Sequence, residues 1–264
     1  MRTTVDEEMA FDDGNVSAVV RVGATVRRVP GPWTRTIHAL LRHLERVGFP
    51  GAPRAVGFDE QGREVLTFVA GETHPSPLVS FGSDAGLAAV ARLLRRYHDA
   101  TTTFVAPHDA TWRFQTGAPA TGDVVCHNDI APWNTVVADG RPSAFIDWDF
   151  AAPGPRSWDI AHALWRFVPL YDDAQFGTPT EQARRMRLFC DAYGLEDRRG
   201  LLDFIERRQH VLYDSVVAWA AAGDPAFAVM CRDGHTQGIL SDLAYVRRHR
   251  AEFEREVGPG PGGP

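Results

Sequence analysis

One stretch constrains this chain more than any other: VVCHNDIAPWNTVV, residues 124–137, places polar side chains between two apolar runs. The runs have the length and composition of buried strands. The side chains between the runs that carry hydrogen-bonding groups are those of His127, Asn128, Asp129, Trp133 and Asn134. Asn, Asp and Pro are common in turns, so a purely structural turn is one interpretation. A catalytic loop is the other.

The residues that follow predict a β-hairpin. Two apolar runs are separated by Asp-Gly-Arg-Pro at 139–142, a sequence typical of hairpin turns. With these four residues as the loop, Val136 lies opposite Phe145, and Asn134 lies opposite Asp147. Directly opposed residues in an antiparallel pair have Cα atoms about 4.5 to 5.5 Å apart. An amide oxygen and a carboxylate at that spacing form an oxygen-only site of the kind that suits Mg²⁺.

Composition excludes several classes of function. The chain has 264 residues, enough for one large or two small domains with a real core, and its formal net charge is −6. That charge gives no basic surface for nucleic acid or for an anionic membrane, so we expect neither partner. No Lys occurs in the sequence. A Schiff base or a lysine that grips phosphate is therefore excluded, and Arg must supply any positive charge.

Cysteine usage and the first residues predict a cytoplasmic protein. Cys126, Cys190 and Cys231 are far apart and show no C-x-x-C spacing, which indicates reduced thiols. The start, MRTTVDEEMAFDD, is acidic and has no signal-peptide core, and no apolar run approaches a membrane span.

Hydrophobic periodicity predicts an α+β fold. The first seventy residues show the order β-β-α-β-β, with strands at 17–22, 25–29, 54–59 and 63–69 and a helix from Pro32 or Thr34 to Gly48. Helices dominate afterwards: one begins at Ser83 or Asp84, and others are expected at 158–167, 186–193, 201–219 and within 226–254. We expect a β-rich domain at 1–70, a helical domain at 71–257 and a disordered tail at 258–264.

The catalytic-loop interpretation gains support from a known pattern. The octet HNDIAPWN fits H-x-D-x-x-x-x-N, the catalytic loop of kinases, and Asp147 in FIDWD stands where kinases place a metal-binding Asp. With IDWDFAAPGPRSWDIA and a β-rich start before the helices, the sequence resembles the aminoglycoside phosphotransferase family, relatives of the protein kinases. The resemblance covers nearly the whole chain and is strongest from 123 to 165. It implies a protein-kinase-like two-lobe fold, with a small antiparallel β-sheet N-lobe carrying one helix and a larger, mainly helical C-lobe.

The resemblance also implies roles for individual residues. Asp129 would be the catalytic base, and Asn134 and Asp147 would hold Mg²⁺ on the phosphates of ATP. Asp149 would be a supporting carboxylate or a ligand of a second metal ion. His127 would brace the loop by packing and a backbone hydrogen bond. Asp159, in SWDIA, would be the buried acid that accepts hydrogen bonds from the catalytic loop.

For the nucleotide, the resemblance implies contacts in the β-rich part. DDGNVSAVV is similar to the family's glycine-bearing turn, in which Gly14, Asn15 and Ser17 could donate to phosphate. The segment Phe68, Val69 and Ala70 looks like the hinge whose backbone would meet adenine.

The kinase Lys that grips phosphate has an arginine in its place. TVRRVP offers Arg27 or Arg28, which strand alternation sends to opposite faces. Arg27 is preferred by its place in the likeness, and Arg28 stays open. A glutamate on the following helix usually orients this basic residue. Here that helix carries His38, His43 and Glu45, so the residue that would orient the arginine stays open.

Three functions remain in competition. The first is a small-molecule kinase that binds nucleotide and a hydroxyl-bearing substrate, aminoglycoside-like or another metabolite, as a monomer or homodimer. A cationic substrate could be met by acidic residues of the second half: Asp191, Glu196, Asp203, Glu206 or Asp214. The second is a catalytically reduced binding or immunity module, suggested by the missing Lys. The third is a hydrolytic metal centre built from His127, Asp129, Asp147 and His162.

Overall fold

The computed structural model describes residues 8–10, 19–113 and 115–260. A small antiparallel sheet comes first in the chain, and a larger helical part follows. The fold is therefore α+β, as the sequence predicts.

The sheet has five antiparallel strands in the order β1-β2-β3-β5-β4. The strands are β1 (Glu8–Ala10), β2 (Val20–Val22), β3 (Thr25–Arg28), β4 (Ala55–Phe58) and β5 (Glu64–Thr67). Four were expected, and β1 was not. Arg28 at the end of β3 pairs directly with Glu64 at the start of β5. Cross-strand partners share one face of a sheet, so these two opposite charges lie together.

Helix α1 (Thr34–Arg46) packs on this sheet because one of its faces is apolar. Ile37, Leu40, Leu41 and Leu44 are fully buried and belong to the same core cluster as Leu66 of β5. That cluster continues into the helical part of the chain.

Seven more α-helices lie in the described residues that follow the sheet. They are α2 (Pro77–Phe81), α3 (Asp84–Thr101), α4 (Arg156–Phe167), α5 (Pro179–Tyr193), α6 (Leu201–Ala221), α7 (Pro225–Arg232) and α8 (His235–Val257). Helix α2 was not predicted. The single helix expected within 226–254 is two helices, because Gly234 adopts a left-handed conformation (φ +82°) between them. Within the described ranges, no helix combines the length and the hydropathy that crossing a bilayer requires.

Two short strand pairs lie between α3 and α4. Strand β6 (Val124–Cys126) pairs with β9 (Ala152–Gly154), and β7 (Thr135–Ala138) pairs with β8 (Arg141–Phe145). The stretch at 124–137 thus runs from β6 through a loop into β7.

The predicted hairpin register is wrong by one residue. Its turn has two residues, since Asp139 and Gly140 both adopt positive φ, as a type I′ turn requires. Next to the turn, Ala138 therefore pairs with Arg141 and not with Ser143, a shift of two residues. A bulge between Val136 and Val137 takes one residue back, so Phe145 pairs with Thr135 and not with Val136. The Ile146 amide donates to the Asn134 carbonyl (2.9 Å), so the residue opposite Asn134 is Ile146 rather than Asp147.

The segment after β5 connects the sheet to the helical part. The Phe68 amide donates to the Ala24 carbonyl (2.9 Å), and Glu72 and Val137 exchange two backbone hydrogen bonds. The segment is thereby fixed to β7. The domain limits at 70 and 257 remain predictions.

The start of the predicted tail makes a backbone contact. The Arg198 amide donates to the Pro259 carbonyl (3.3 Å), so residues 258–260 lie against the turn before α6. Residues 261–264 lie outside the described residues, and for them the predicted disorder stays a prediction.

Helix α8 carries an acid that folding places in an unfavourable position. The indole Nε1 of Trp165 donates to Asp242 Oδ2 (2.9 Å). Burial nevertheless raises the pKa of Asp242 to about 6. Because this folded-state pKa lies above the unfolded one, the associated stability is present in acid and is lost as the pH rises through 6.

We therefore predict that Asp242→Asn stabilises the protein at pH 7 by about 1 to 3 kcal/mol, since the amide can still accept the indole hydrogen bond. Urea denaturation at pH 7 and pH 4 measures this effect, and the gain should vanish at pH 4. Asp233→Asn, at an exposed position, is the control. An equal gain at both pH values would contradict the electrostatic explanation.

Candidate active site

A buried carboxylate fixes the loop that follows β6. Asp159 on α4 accepts the backbone amides of His127 (2.6 Å) and Asn128 (2.8 Å), and His98 Nε2 lies 3.2 Å from one of its oxygens. Asn128 has φ +67°, a left-handed conformation that Asn tolerates better than most residues. The contact expected between Asp159 and the loop is present.

His127 is buried and braces the loop, as expected. Its Nε2 donates to the Ile146 carbonyl (3.1 Å), and its ring lies 4.6 Å from the Trp148 ring. Burial lowers the pKa of His127, so the ring is neutral at neutral pH. Its position and charge suit a structural role in the loop.

Asp129 is held from both sides. Asn134 Nδ2 donates to Asp129 Oδ2 (2.7 Å) and to its backbone carbonyl (3.0 Å). On the other side, His162 Nε2 lies 3.5 Å from Asp129 Oδ1. The Asp129 side chain keeps 25% of its surface exposed, so it can meet a ligand.

The surroundings of Asp129 favour its ionised form. Burial works against the charge, but the contact with His162, followed by the nearby His127 ring and the Arg208 guanidinium, holds the pKa of Asp129 below its usual value. Burial also lowers the pKa of His162 to about 3. His162 is therefore a neutral ring beside Asp129 rather than a cation.

Asp147 and Asp149 form an acidic pair beside this loop. Desolvation and the neighbouring Asp149 charge raise the pKa of Asp147 to about 6, and Asp129 acts in the same direction. Because 46% of the Asp147 side chain is exposed, solvent screens part of this repulsion. Asp147 also has φ +60°, which makes it the second left-handed residue of the site.

The basic residue that meets the acidic pair is Arg28. Its guanidinium donates to Asp149 Oδ1 (2.6 Å) and to Asp147 Oδ1 (3.4 Å), while its Nε is bonded to Glu64. The preference for Arg27 is thus corrected, since Arg27 faces the other side of β3, where its Nε lies 3.6 Å from Asp59 Oδ2.

The glutamate that orients the basic residue comes from a strand. Glu64 of β5 is completely buried between Arg28 and His38, whose Nε2 lies 2.8 Å from Glu64 Oε1. Burial disfavours the charge on Glu64, but the His38 hydrogen bond and the Arg28 charge hold its pKa below its usual value. His38 thus connects α1 to the acidic pair through two intervening side chains.

The structure describes some of the residues expected to contact nucleotide but not others. Gly14, Asn15 and Ser17 lie outside the described residues. In the hinge segment, the Phe68 amide is used by Ala24, and the Phe68 ring receives the guanidinium of Arg21 at 3.8 Å. Val69 is partly exposed and Ala70 is exposed.

The hydrolytic metal centre is not supported. Among the described residues, the His, Cys, Asp and Glu side chains that converge within metal-ligand distance are those of His98, Cys126 and Asp159. All three are buried, and the Asp159 oxygens already accept hydrogen bonds from the amides of His127 and Asn128.

The acidic residues considered for a cationic substrate are largely paired with arginine. Asp191 contacts Arg198, whereas Asp203 and Glu206 both contact Arg250 (2.6 and 2.8 Å). A substrate site made from these three carboxylates would first have to displace arginine side chains.

Sequence reasoning missed several polar residues around the site. They are Glu64, Arg113, His162 as a neighbour of Asp129, and Arg208, which is bonded to the Asn128 carbonyl. The one available signal was Glu64, which the predicted strand pair could have placed opposite Arg28. The others reach the site from positions remote in sequence.

Comparison with known proteins agrees with this geometry. Residues 107–201 match the model of the phosphotransferase enzyme family. The chain is 39% identical over 211 residues to the trifolitoxin immunity protein of Rhizobium leguminosarum bv. trifolii, covering 75% of this chain and 79% of that protein.

Solved structures share the fold at low sequence identity. Amicoumacin kinase in complex with AMP-PNP, Ca²⁺ and Ami has a TM-score of 0.62 and 15% identity, covering 96% of this chain and 90% of that one. A choline/ethanolamine kinase family protein from Mesorhizobium loti has a TM-score of 0.56 and 18% identity, covering 92% of each chain. The two-lobe, protein-kinase-like fold is thereby confirmed, and family and fold together support a small-molecule phosphotransferase. The chain belongs to the aminoglycoside phosphotransferase-like family of phosphotransferase enzymes.

Proposed function

We propose that this protein transfers the γ-phosphoryl group of ATP to a hydroxyl group of a small molecule, with Mg²⁺, in the cytoplasm, where ATP is available. One observation carries the proposal: the exposed part of Asp129 lies beside an acidic pair that is joined to a fixed arginine. Proton acceptor, metal ligands and cation are the parts that phosphoryl transfer requires.

The donor set fits a magnesium ion. Both N–H groups of the Asn134 amide are donated to Asp129, so its amide oxygen is left for a cation. Asp147 and Asp149 would supply carboxylate oxygens, and Mg²⁺ prefers such hard oxygen ligands. When bound, Mg²⁺ would neutralise charge on the nucleotide phosphates.

Asp129 would accept the proton of the substrate hydroxyl. Its lowered pKa keeps the carboxylate ionised at neutral pH. The Asn134 amide fixes one carboxylate oxygen, and the neutral His162 ring lies by the other. A base held in one orientation loses little entropy when it meets the hydroxyl.

Arg28 would take the place of the kinase lysine. Glu64 fixes its Nε, so the remaining N–H groups point toward the acidic pair and could be shared with nucleotide phosphate. Contacts from Gly14, Asn15 and Ser17 to phosphate, and from the backbone of 68–70 to adenine, remain part of this proposal.

The similarity to an immunity protein favours a second candidate function. The chain could protect its host from a toxin, either by phosphorylating that toxin or by binding it. A variant without the Asp129 carboxylate distinguishes phosphorylation from binding, because binding does not need Asp129 as a proton acceptor.

We predict that Asp129→Asn lowers turnover by about 10² to 10⁴-fold, the usual contribution of general base catalysis. Binding of Mg²⁺·AMP-PNP should stay within a few-fold of wild type, since the base is not among the metal ligands. ATP consumption with a panel of hydroxyl-bearing compounds measures turnover, and thermal shift measures nucleotide binding.

The control is Asp139→Asn, the same chemical change in the exposed hairpin turn. Wild-type turnover in Asp129→Asn would reject the assignment of the base. In a trifolitoxin-sensitive strain, protection that survives Asp129→Asn would favour immunity by binding. Protection that is lost would favour phosphorylation.

We further predict that Glu64→Gln destabilises the protein by about 2 to 4 kcal/mol at pH 7, because it leaves the buried Arg28 charge without its closest carboxylate. Mg²⁺·AMP-PNP should also bind more weakly. Because the folded-state pKa of Glu64 is lowered, its contribution to stability is present above its unfolded pKa and is lost as the pH falls. The difference between variant and wild type should therefore shrink toward pH 3.

Denaturation at pH 7, 5 and 3 measures the effect of Glu64→Gln. Glu45→Gln is the matched control, because Glu45 forms an exposed pair with Arg54 at 3.6 Å, a kind of contact worth less than about 1 kcal/mol. Equal effects of the two substitutions would show that the buried Glu64 contact contributes no more to stability than an exposed ion pair.

A further inference from the structure

Arg113 lies inside a group of four aromatic rings next to the acidic pair. Its guanidinium carbon is 4.5 Å from the centre of the Phe150 ring, 4.6 Å from Trp33, 5.2 Å from Trp219 and 5.6 Å from Phe227. The rings come from four separate segments: the turn before α1, the residue after Asp149, α6 and α7. We call this group the aromatic box.

The N–H groups of Arg113 are not used by the residues that the structure describes. Within those ranges, no hydrogen-bond acceptor and no carboxylate within 4.0 Å contacts its guanidinium. Burial among the rings lowers the pKa of Arg113, and the charges of Asp149, Asp224 and Asp147 act in the opposite direction from a longer range. An arginine keeps its charge in such surroundings.

Arg28 and Arg208, the other cations around this loop, have their terminal guanidinium nitrogens engaged, although Arg208 Nε has no partner among the described residues. Arg28 is bonded to three carboxylates. Arg208 is completely buried and donates to Gln115 and to the Asn128 carbonyl. Arg113 therefore differs from both, since its charge is partly desolvated while its hydrogen-bonding capacity is free.

This arrangement suits an oxyanion. Aromatic rings attract a guanidinium through its charge and restrict its movement. Its N–H donors form a planar fork that matches the two oxygens of a phosphate or carboxylate. Partial desolvation strengthens the attraction, and a fixed side chain loses little entropy on binding.

We propose that Arg113, held by the aromatic box, is an oxyanion-binding residue of the reaction site. The guanidinium contacts the ring of Phe150, the residue after Asp149, and lies close enough to Asp147 and Asp149 to be affected by their charges. The oxyanion is either the phosphoryl group of the nucleotide or an acidic group of the hydroxyl-bearing substrate. The inference rests on the proposed phosphotransferase function. It adds an anion contact from Arg113, which lies in the aromatic box next to the acidic pair.

Sulfate is the probe that tests this proposal. It is titrated at constant ionic strength, with sodium chloride as the balancing salt, against protein saturated with Mg²⁺·ADP and against protein saturated with Mg²⁺·AMP-PNP. Tryptophan emission reports binding, because Trp33 and Trp219 contact the guanidinium. Wild type should bind sulfate saturably, and Arg113→Ala should weaken that binding at least about tenfold.

The two nucleotide states identify the source of the oxyanion. Sulfate binding with ADP that disappears with AMP-PNP places the phosphoryl group at Arg113. Binding in both states, lost in Arg113→Ala, places an acidic group of the substrate there. No saturable binding by wild type, or equal binding by wild type and Arg113→Ala, overturns the proposal.

Two further variants control for misfolding and for the general effect of removing an arginine. Arg113→Gln keeps much of the side chain inside the box, so it should fold where the alanine variant fails and should still lose sulfate binding. Arg248→Ala removes an arginine over a tyrosine ring on α8 and should leave sulfate binding unchanged. If neither nucleotide binds in any variant, the proposed function fails, and the sulfate titration of nucleotide-free protein then decides the role of Arg113 separately.

Discussion

The site depends on one buried carboxylate. Asp159 is inaccessible to solvent and accepts two consecutive backbone amides, which sets the direction of the chain just before Asp129. Burial disfavours its charge, but the His98 contact and the loop amide hold its pKa below its usual value. An ionised acid in this position is bound to the backbone more strongly than a neutral group would be. Helices α3 and α4 thus determine where the base lies.

The sheet is coupled to this loop through charge. Arg28 at the end of β3 is bonded to Glu64 within the sheet and to Asp149 beyond it, and His38 adds α1 to the same chain of contacts. Buried ionic contacts of this kind contribute little net stability, but they penalise any arrangement that separates the charges. The two parts of the molecule are therefore held in the relative position at which nucleotide phosphate would meet the acidic pair.

The sequence was informative where local physics decides the structure. Helix α1 and strands β4 and β5 follow from hydrophobic periodicity, and the catalytic loop follows from one octet. The predicted hairpin register was wrong because Asp139 and Gly140 both take positive φ, which shortens the turn from four residues to two, and because a bulge after Val136 shifts the pairing again by one. The pairing of β6 with β9 joins residues almost thirty positions apart. Local patterns carry no information about such long-range contacts, and the aromatic box escaped prediction for the same reason.

Because the chain has no lysine, arginines supply the positive charge at the site, and Arg28 and Arg113 are held there in different ways. A lysine ammonium is a compact point charge, whereas the guanidinium of Arg28 contacts Glu64, Asp147 and Asp149 through separate nitrogens at once. Its charge is therefore spread over three acids, which leaves less of it for a phosphate. The contacts of Arg113 differ, since aromatic rings surround its guanidinium and leave its N–H groups without a hydrogen-bond partner among the described residues. Arg28 holds the acidic pair together, whereas the N–H groups of Arg113 make no hydrogen bond to the described residues.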